Sequence, residues 1–161
     1  MSTISEPEPA SLRERYRAQV RQEVKEAALG QLAEAGPGGL SISAIGKQLG
    51  VSGPALYRYF ASRDDLLTAL IIDAYNDVGQ AVEDADASAD RADFVGRWLA
   101  VTHGVRDWAL AVPHEYMLIY GSPVPGYQAP TDTVAAAIRG TTVLGTILDD
   151  AVVAGVLHDT G

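Results

Sequence analysis

No cysteine occurs among the 161 residues, which excludes disulfides and any thiolate-held metal centre. Long apolar runs are missing as well. Each is broken by a charge or a glycine well short of the roughly 20 residues that a spanning helix needs, so no membrane partner is expected. The first residues are polar and acidic, without the apolar stretch of a secretory leader, and a cytoplasmic location is the expectation. The chain also lacks a nucleophile elbow, a phosphate loop and a His-Glu metal motif. No cofactor or metal is therefore expected, and no enzymatic activity. Neither an internal repeat nor a run with convincing strand alternation occurs.

What is present is 47% apolar residues, enough for a packed core, and a net charge of −9 that is unevenly spread. Residues 1–72 hold eight basic and eight acidic side chains, whereas residues 73–161 hold four and thirteen. Only the first part can approach a polyanion without strong repulsion.

Apolar spacing of three and four residues predicts an all-α chain. Residues 1–10, with Pro7 and Pro9 among Glu and Ser, read as a disordered arm. Ser11 and Glu14 form a capping box before a long helix with Leu12, Tyr16, Val20, Val24, Ala28 and Leu32 on one side, ending at Gly36. Its Arg13, Arg15, Arg17, Arg21 and Lys25 alternate with acids and read as a solvated face. A fourth helix is predicted from Arg63 to about Asp84, an acidic linker over 84–93, a helix from Phe94 to the break at Pro113, a short helix over 114–120, a Pro- and Gly-rich loop, and one last helix from Thr131 or Asp132 toward Leu157.

Residues 41–63 carry most of the functional information. Ile42, Ile45 and Leu49 share one helical face, and Gly50 stands where a left-handed terminator is needed. Ser52 precedes a second short helix with Pro54 in its first turn. Leu56 and Phe60 form that helix's buried side, leaving Gly53, Ala55, Tyr57, Arg58 and Tyr59 on the other. Small residues followed by aromatic and basic tips suit a recognition helix in a helix-turn-helix, where the backbone nears a groove wall and longer donors reach phosphates and base edges. An ordinary helical hairpin reads the same way from the turn alone.

The full string resembles the DNA-binding domain of the TetR family of bacterial transcriptional regulators, matching at Ile45-Gly46, Gly50-Val51-Ser52, Leu56-Tyr57 and Phe60. Gly46 stands where Ala is usual, and Arg63 where Lys is usual. The resemblance implies a three-helix DNA-binding domain over 11–62 and a helical effector-binding and dimerisation domain over 63–161. It further implies phosphate or groove contacts from Ser41, Ser43, Lys47, Ser52, Gly53, Pro54, Ala55, Tyr57, Arg58, Tyr59 and Arg63. Arg58 has the one side chain here able to read a guanine bidentately, and it can equally bind phosphate.

Residues 108–130 resemble the C-terminal domain of one TetR subgroup with a Trp-Ala, Pro and Gly-x-Pro-Val-Pro pattern. Tyr120 replaces the commoner Phe, and Val112 stands where His is usual. From this resemblance Phe94, Trp98, His103, Trp108, Tyr116, Met117 and Tyr120 are expected to enclose an apolar or aromatic effector, although for each residue taken singly an aromatic core is the favoured reading. His103 and Asp107, four apart, read as a surface pair rather than a metal site. The chain is expected to be C-terminally incomplete relative to the subgroup. The expectation is a ligand-responsive repressor that binds a palindromic double-stranded operator as a homodimer. A helical adaptor without DNA binding is the alternative, and a small-molecule-processing enzyme a more distant one.

Overall fold

The computed structural model describes residues 11–157, and every regular element among them is helical. The expected arm over 1–10 lies outside the described residues. Eight helices follow one another: α1 (Leu12–Ala35), α2 (Ile42–Leu49), α3 (Gly53–Leu56), α4 (Arg63–Ser88), α5 (Phe94–Ala111), α6 (Pro113–Tyr120), α7 (Val134–Ala137) and α8 (Arg139–Val153), with short 3₁₀ turns at 37–39 and 131–133.

The capping box forms at the start of α1. Ser11 Oγ accepts from the Glu14 amide, and the Ser11 amide donates to Glu14 Oε2 at 2.8 Å. The predicted apolar stripe is only partly buried. Val24, Ala28 and Leu32 are enclosed, but Leu12 and Tyr16 lie exposed because the first turns of α1 project past the helices that cover the rest.

Two apolar clusters hold the fold. The first joins Val24, Ala28 and Leu32 of α1, Ile45 of α2, Leu56 of α3, Phe60, and Leu66, Leu67, Leu70 and Ile71 of α4. Burial of each large aliphatic side chain contributes about 1.5–3 kcal/mol relative to exposure. Leu118 of α6 and Val124 of the Pro- and Gly-rich loop enter this same cluster. The expected domain division after residue 62 therefore falls inside a shared core. The second cluster, Val78, Val82, Val101 and Ile147, joins the far half of α4 to α5 and α8.

Two predicted boundaries are corrected. The acidic stretch after Asp84 is no linker at first: α4 continues to Ser88, and the connection shrinks to residues 89–93. Alanine favours continuation, and Asp86 is tied down by arginines from beyond the helix end. The last predicted helix is instead broken, with α7 ending at Ala137 and α8 stopping at Val153 short of Leu157. The break lets Arg139 reach α4, donating to Glu83 Oε2 at 2.6 Å, Gln80 Oε1 at 2.8 Å and the Asn76 carbonyl at 3.2 Å.

Candidate nucleic-acid interface

The candidate interface is built from α2, the turn and α3. Ser41 caps α2 by accepting from the Ala44 amide at 3.3 Å, and its own amide donates to Gln31 Oε1 at 2.9 Å, anchoring the start of α2 to α1. Gly50 ends α2 with φ +67°, a left-handed conformation that costs a side-chain-bearing residue about 1–2 kcal/mol. The Val51 amide then donates to the Gly46 carbonyl at 2.9 Å, folding the turn back on α2. A Cβ at Gly46 would sit 2.8 Å from the Val51 carbonyl oxygen and 3.2 Å from Leu56 Cδ1. Glycine here lets the two helices close, and that close approach offsets its low helix propensity.

Beyond the turn, α3 is a single helical turn that tightens, with the Tyr59 amide donating to the Leu56 carbonyl at 2.8 Å. Leu56 and Phe60 are buried as predicted. Ser43, Lys47, Ser52, Pro54, Tyr57 and Arg58 are exposed, whereas Ser41, Gly53, Ala55 and Tyr59 are half-buried. The Ser52 hydroxyl takes no part in capping. The Arg58 side chain makes no hydrogen bond among the described residues, so its guanidinium is available to a ligand.

Arg63 is placed differently from the expectation. Its Nη2 donates to the Pro37 carbonyl at 2.7 Å and its Nε to the Leu40 carbonyl at 3.2 Å, with Asp64 3.5 Å away. Its guanidinium is thereby committed to the connection between α1 and α2. This resolves an apparent conflict, since a cation at a helix N-terminus is unfavourable without partners of its own.

Two arginines read as solvated from the sequence also have structural tasks. Arg17 donates to the Arg58 carbonyl at 3.2 Å, and Arg21 donates to the Tyr59 carbonyl while lying over the Phe60 ring at 4.1 Å. Together they bind the carbonyl end of the reading turn to α1. The four-residue spacing of Arg17 and Arg21 put them on one face, but nothing in the sequence showed which carbonyls that face would meet.

The seven expected effector-site residues do not converge on one cavity. Phe94 and Trp98 line an apolar groove of about 250 Å³ with Leu99, Ile147 and Leu148. Tyr120 borders a small space of about 90 Å³ between α4, α5 and α8. Met117 faces a third cleft beside α1, Trp108 and Tyr116 pack edge to face at 6.4 Å, and His103 is exposed. The indole N–H of Trp108 is buried and meets no acceptor among the described residues. Asp107 pairs with Arg106 at 3.1 Å instead of His103. Among the described residues, no group of three side chains is placed to hold a metal ion.

One residue unmarked by sequence reasoning is Arg97, fully buried between three helices. Its Nε donates to Asp86 Oδ1 of α4 at 2.7 Å and its Nη1 to Asp150 Oδ2 of α8 at 2.8 Å. An arginine one position before Trp98, inside an apolar stretch, was the available signal.

Sequence comparison agrees with this geometry. Residues 25–70 match the family described as bacterial regulatory proteins, tetR family, and residues 98–160 match the tetracyclin repressor-like C-terminal domain. The HTH-type transcriptional regulator Rv1816 of Mycobacterium tuberculosis is 40% identical over 140 residues, covering 87% of this chain and 58% of that protein. The chain thus spans little more than half the length of the curated relatives it matches. The crystal structure of the candidate regulatory protein SCO4313 superposes with a TM-score of 0.76 at 47% identity, covering 85% of this chain and 64% of that one. PfmR, a TetR family transcriptional regulator from Thermus thermophilus, shares the fold with a TM-score of 0.65 at 22% identity, over 86% and 75% of the two chains. Two domains of one family, matched in order over more than half of the residues and carried on that family's fold, establish that the chain belongs to the tetR family of bacterial regulatory proteins.

Proposed function

We propose that this chain is the DNA-reading and regulatory body of a cytoplasmic, ligand-responsive transcriptional repressor acting as a homodimer on a near-palindromic operator. The observation that carries this reading is the exposed surface formed by Ser43, Lys47, Ser52, Pro54, Tyr57 and Arg58, on the part of the chain where acidic and basic residues balance. Tyr57, Lys47 and the serine hydroxyls donate to phosphates; Gly53, Pro54 and Ala55 let the backbone near the groove; Arg58 reads a base edge. Arg63 supports this surface from behind.

The two copies meet through the acidic half, and the exposed apolar side chains Leu148, Val152 and Val153 of α8 supply a candidate contact. Half-sites would lie about one helical turn, roughly 34–36 Å, apart. An apolar or aromatic effector entering between α4, α5 and α8 would shift α4, which carries both cores, and so favour a separation of reading heads that no longer fits DNA.

Binding to a cognate duplex over a salt series tests the residue roles. Tyr57→Phe should weaken all sequences, with loss of one phosphate contact, while Arg58→Ala should in addition relax discrimination at one base pair, a change of about 1–3 kcal/mol. Discrimination unchanged in Arg58→Ala would remove its base-reading role.

A further inference from the structure

Helices α4, α5 and α8 enclose a cavity of about 90 Å³, lined by Val78 and Val82, Val101 and Val105, and Gly140 and Leu144. A larger cleft of about 390 Å³ lies under α7 and the loop over 121–130, with the hydroxyls of Ser122, Tyr127 and Thr133 on its wall. Tyr75 and Ala137 line both, so the two spaces meet there. The Tyr75 ring stands edge-on to Tyr120 at 6.2 Å, and its hydroxyl reaches the Ile119 carbonyl only at 3.5 Å, longer than an ordinary hydrogen bond. A weakly tethered side chain thus divides an apolar inner chamber from a more polar outer one.

Gly140 is the informative residue. A Cβ at Gly79 would lie 2.7 Å from Arg139 Cδ, and one at Gly104 would lie 3.1 Å from the Ala81 carbonyl oxygen, so close packing favours glycine at both. At Gly140 a Cβ would meet nothing nearer than Val82 Cγ2, at 3.9 Å. Alanine would fit there, fill part of the inner chamber and favour the helix by as much as about 1 kcal/mol. Glycine instead keeps the chamber open, at a point where neither packing nor a positive φ requires it.

Charge and size narrow what can occupy this space. Among the described residues no Asp, Glu, Lys, Arg or His lines either chamber, so an ion moved into it would find no counterion. Burial, and next the neighbouring Tyr75 and Tyr116, push up the pKa of the Tyr120 hydroxyl at the inner chamber, which marks a site that resists negative charge. An apolar cavity of about 150 Å³ takes benzene, and the inner chamber is smaller. We infer that the two chambers together bind an uncharged aliphatic molecule, with a short alkyl chain beside Gly140 and an un-ionised polar head, such as an amide, beneath the loop. Thr133 Oγ1 donates to the Pro130 carbonyl at 2.8 Å and keeps lone pairs with which to accept from such a head. This inference rests on the proposal that an effector enters between α4, α5 and α8, and it excludes an aromatic ring from the inner end. The alkyl chain lies next to Arg139, whose bonds to Asn76, Gln80 and Glu83 clasp α8 to α4. Occupancy therefore loads that clasp.

Titration with hexanamide, followed through the methyl NMR signals of the isotope-labelled chain, tests the site, with hexanoate, hexylamine and benzamide as probes of charge and shape. Hexanamide should shift the valine and leucine methyl signals saturably and bind at least about tenfold tighter than the other three, a difference of about 1.4 kcal/mol. Gly140→Ala should keep or raise the melting temperature and weaken hexanamide about fourfold for each methylene it displaces, the equivalent of about 0.8 kcal/mol. Val105→Ala, which widens the inner chamber, should let benzamide bind. No saturable hexanamide binding, hexanoate or benzamide binding as tightly as hexanamide, or hexanamide binding unchanged in Gly140→Ala would each overturn the proposal. The effect on DNA is read separately. A fall in operator affinity with hexanamide, absent in Gly140→Ala, supports the action through the clasp, and operator affinity unchanged at saturating hexanamide removes it. Selective hexanamide binding by a chain that retains no DNA leaves the site standing and removes the DNA reading.

Discussion

Replacing Arg97 by alanine strips three helices of a shared charge-assisted anchor and leaves the largely buried Asp86 paired with Arg91 alone. Breaking a buried ion pair costs about 3–5 kcal/mol, and because Asp150 is half-exposed the lower end applies. Urea unfolding should show a loss of about 3 kcal/mol. Arg63→Ala unbinds two carbonyls on the partly exposed connection after α1, so a loss of about 1–2 kcal/mol is expected, with the salt dependence of DNA binding unchanged. A shallower salt slope would return Arg63 to the phosphate backbone. Gly46→Ala sets a propensity gain of about 1 kcal/mol against overpacking of about 1–3 kcal/mol where a backbone oxygen blocks the Cβ. A net loss is expected, measurable as a lower melting temperature. Glu115 makes stability depend on pH. Its folded-state pKa is raised, so as pH rises the unfolded chain loses this proton first and the folded state loses stability between the ordinary and the raised value. Glu115→Gln should flatten that part of the profile and be the more stable protein above it. Of the residues that the sequence placed on the outer side of the second short helix, Tyr57 and Arg58 are exposed, whereas Gly53, Ala55 and Tyr59 are half-buried, and the sequence did not show the carbonyls that Arg17, Arg21 and Arg63 meet. All three charges are spent on backbone carbonyls, and which carbonyls a cation meets is decided by tertiary packing.

At the scale of elements, local signals were legible wherever the physics is local. The Ser11 capping box, the Gly50 terminator and Pro113 as a break all act within a few residues. Element ends set by distant partners were not. The extension of α4 to Ser88 is held by Arg91 and Arg97, and the kink at Ile138 accompanies the clasp of Arg139 on α4. The loop over 121–130 was read correctly as irregular, but its docking was invisible. Val124 is buried in the first core, and the Tyr127 hydroxyl meets Thr68 Oγ1 at 2.8 Å. This loop ties the regulatory half directly to the base of the reading head. Tyr127→Phe, which loses one part-buried hydrogen bond, should lower stability by about 0.5–1.5 kcal/mol in denaturant unfolding.

For the whole molecule, charge and core work in opposite senses. The charge separates a neutral reading end from an acidic body, whereas the first apolar core joins them across α4, α6 and the docked loop. The proposed function calls for both properties: a body that stays off the duplex, and a mechanical connection stiff enough to move the reading head. The two helical domains and their order were legible in the sequence, because helix periodicity and the helix-turn-helix pattern span few residues. The scattering of the aromatic residues over separate grooves was not, since it depends on how α5, α6 and α8 are rotated about their axes. The central claim, that residues 41–63 read DNA as one half of a symmetric pair, is tested most directly by selecting bound duplexes from a random pool. The account predicts enrichment of a near-palindrome with half-sites about one helical turn apart. A folded protein that enriches no sequence at low salt would contradict it.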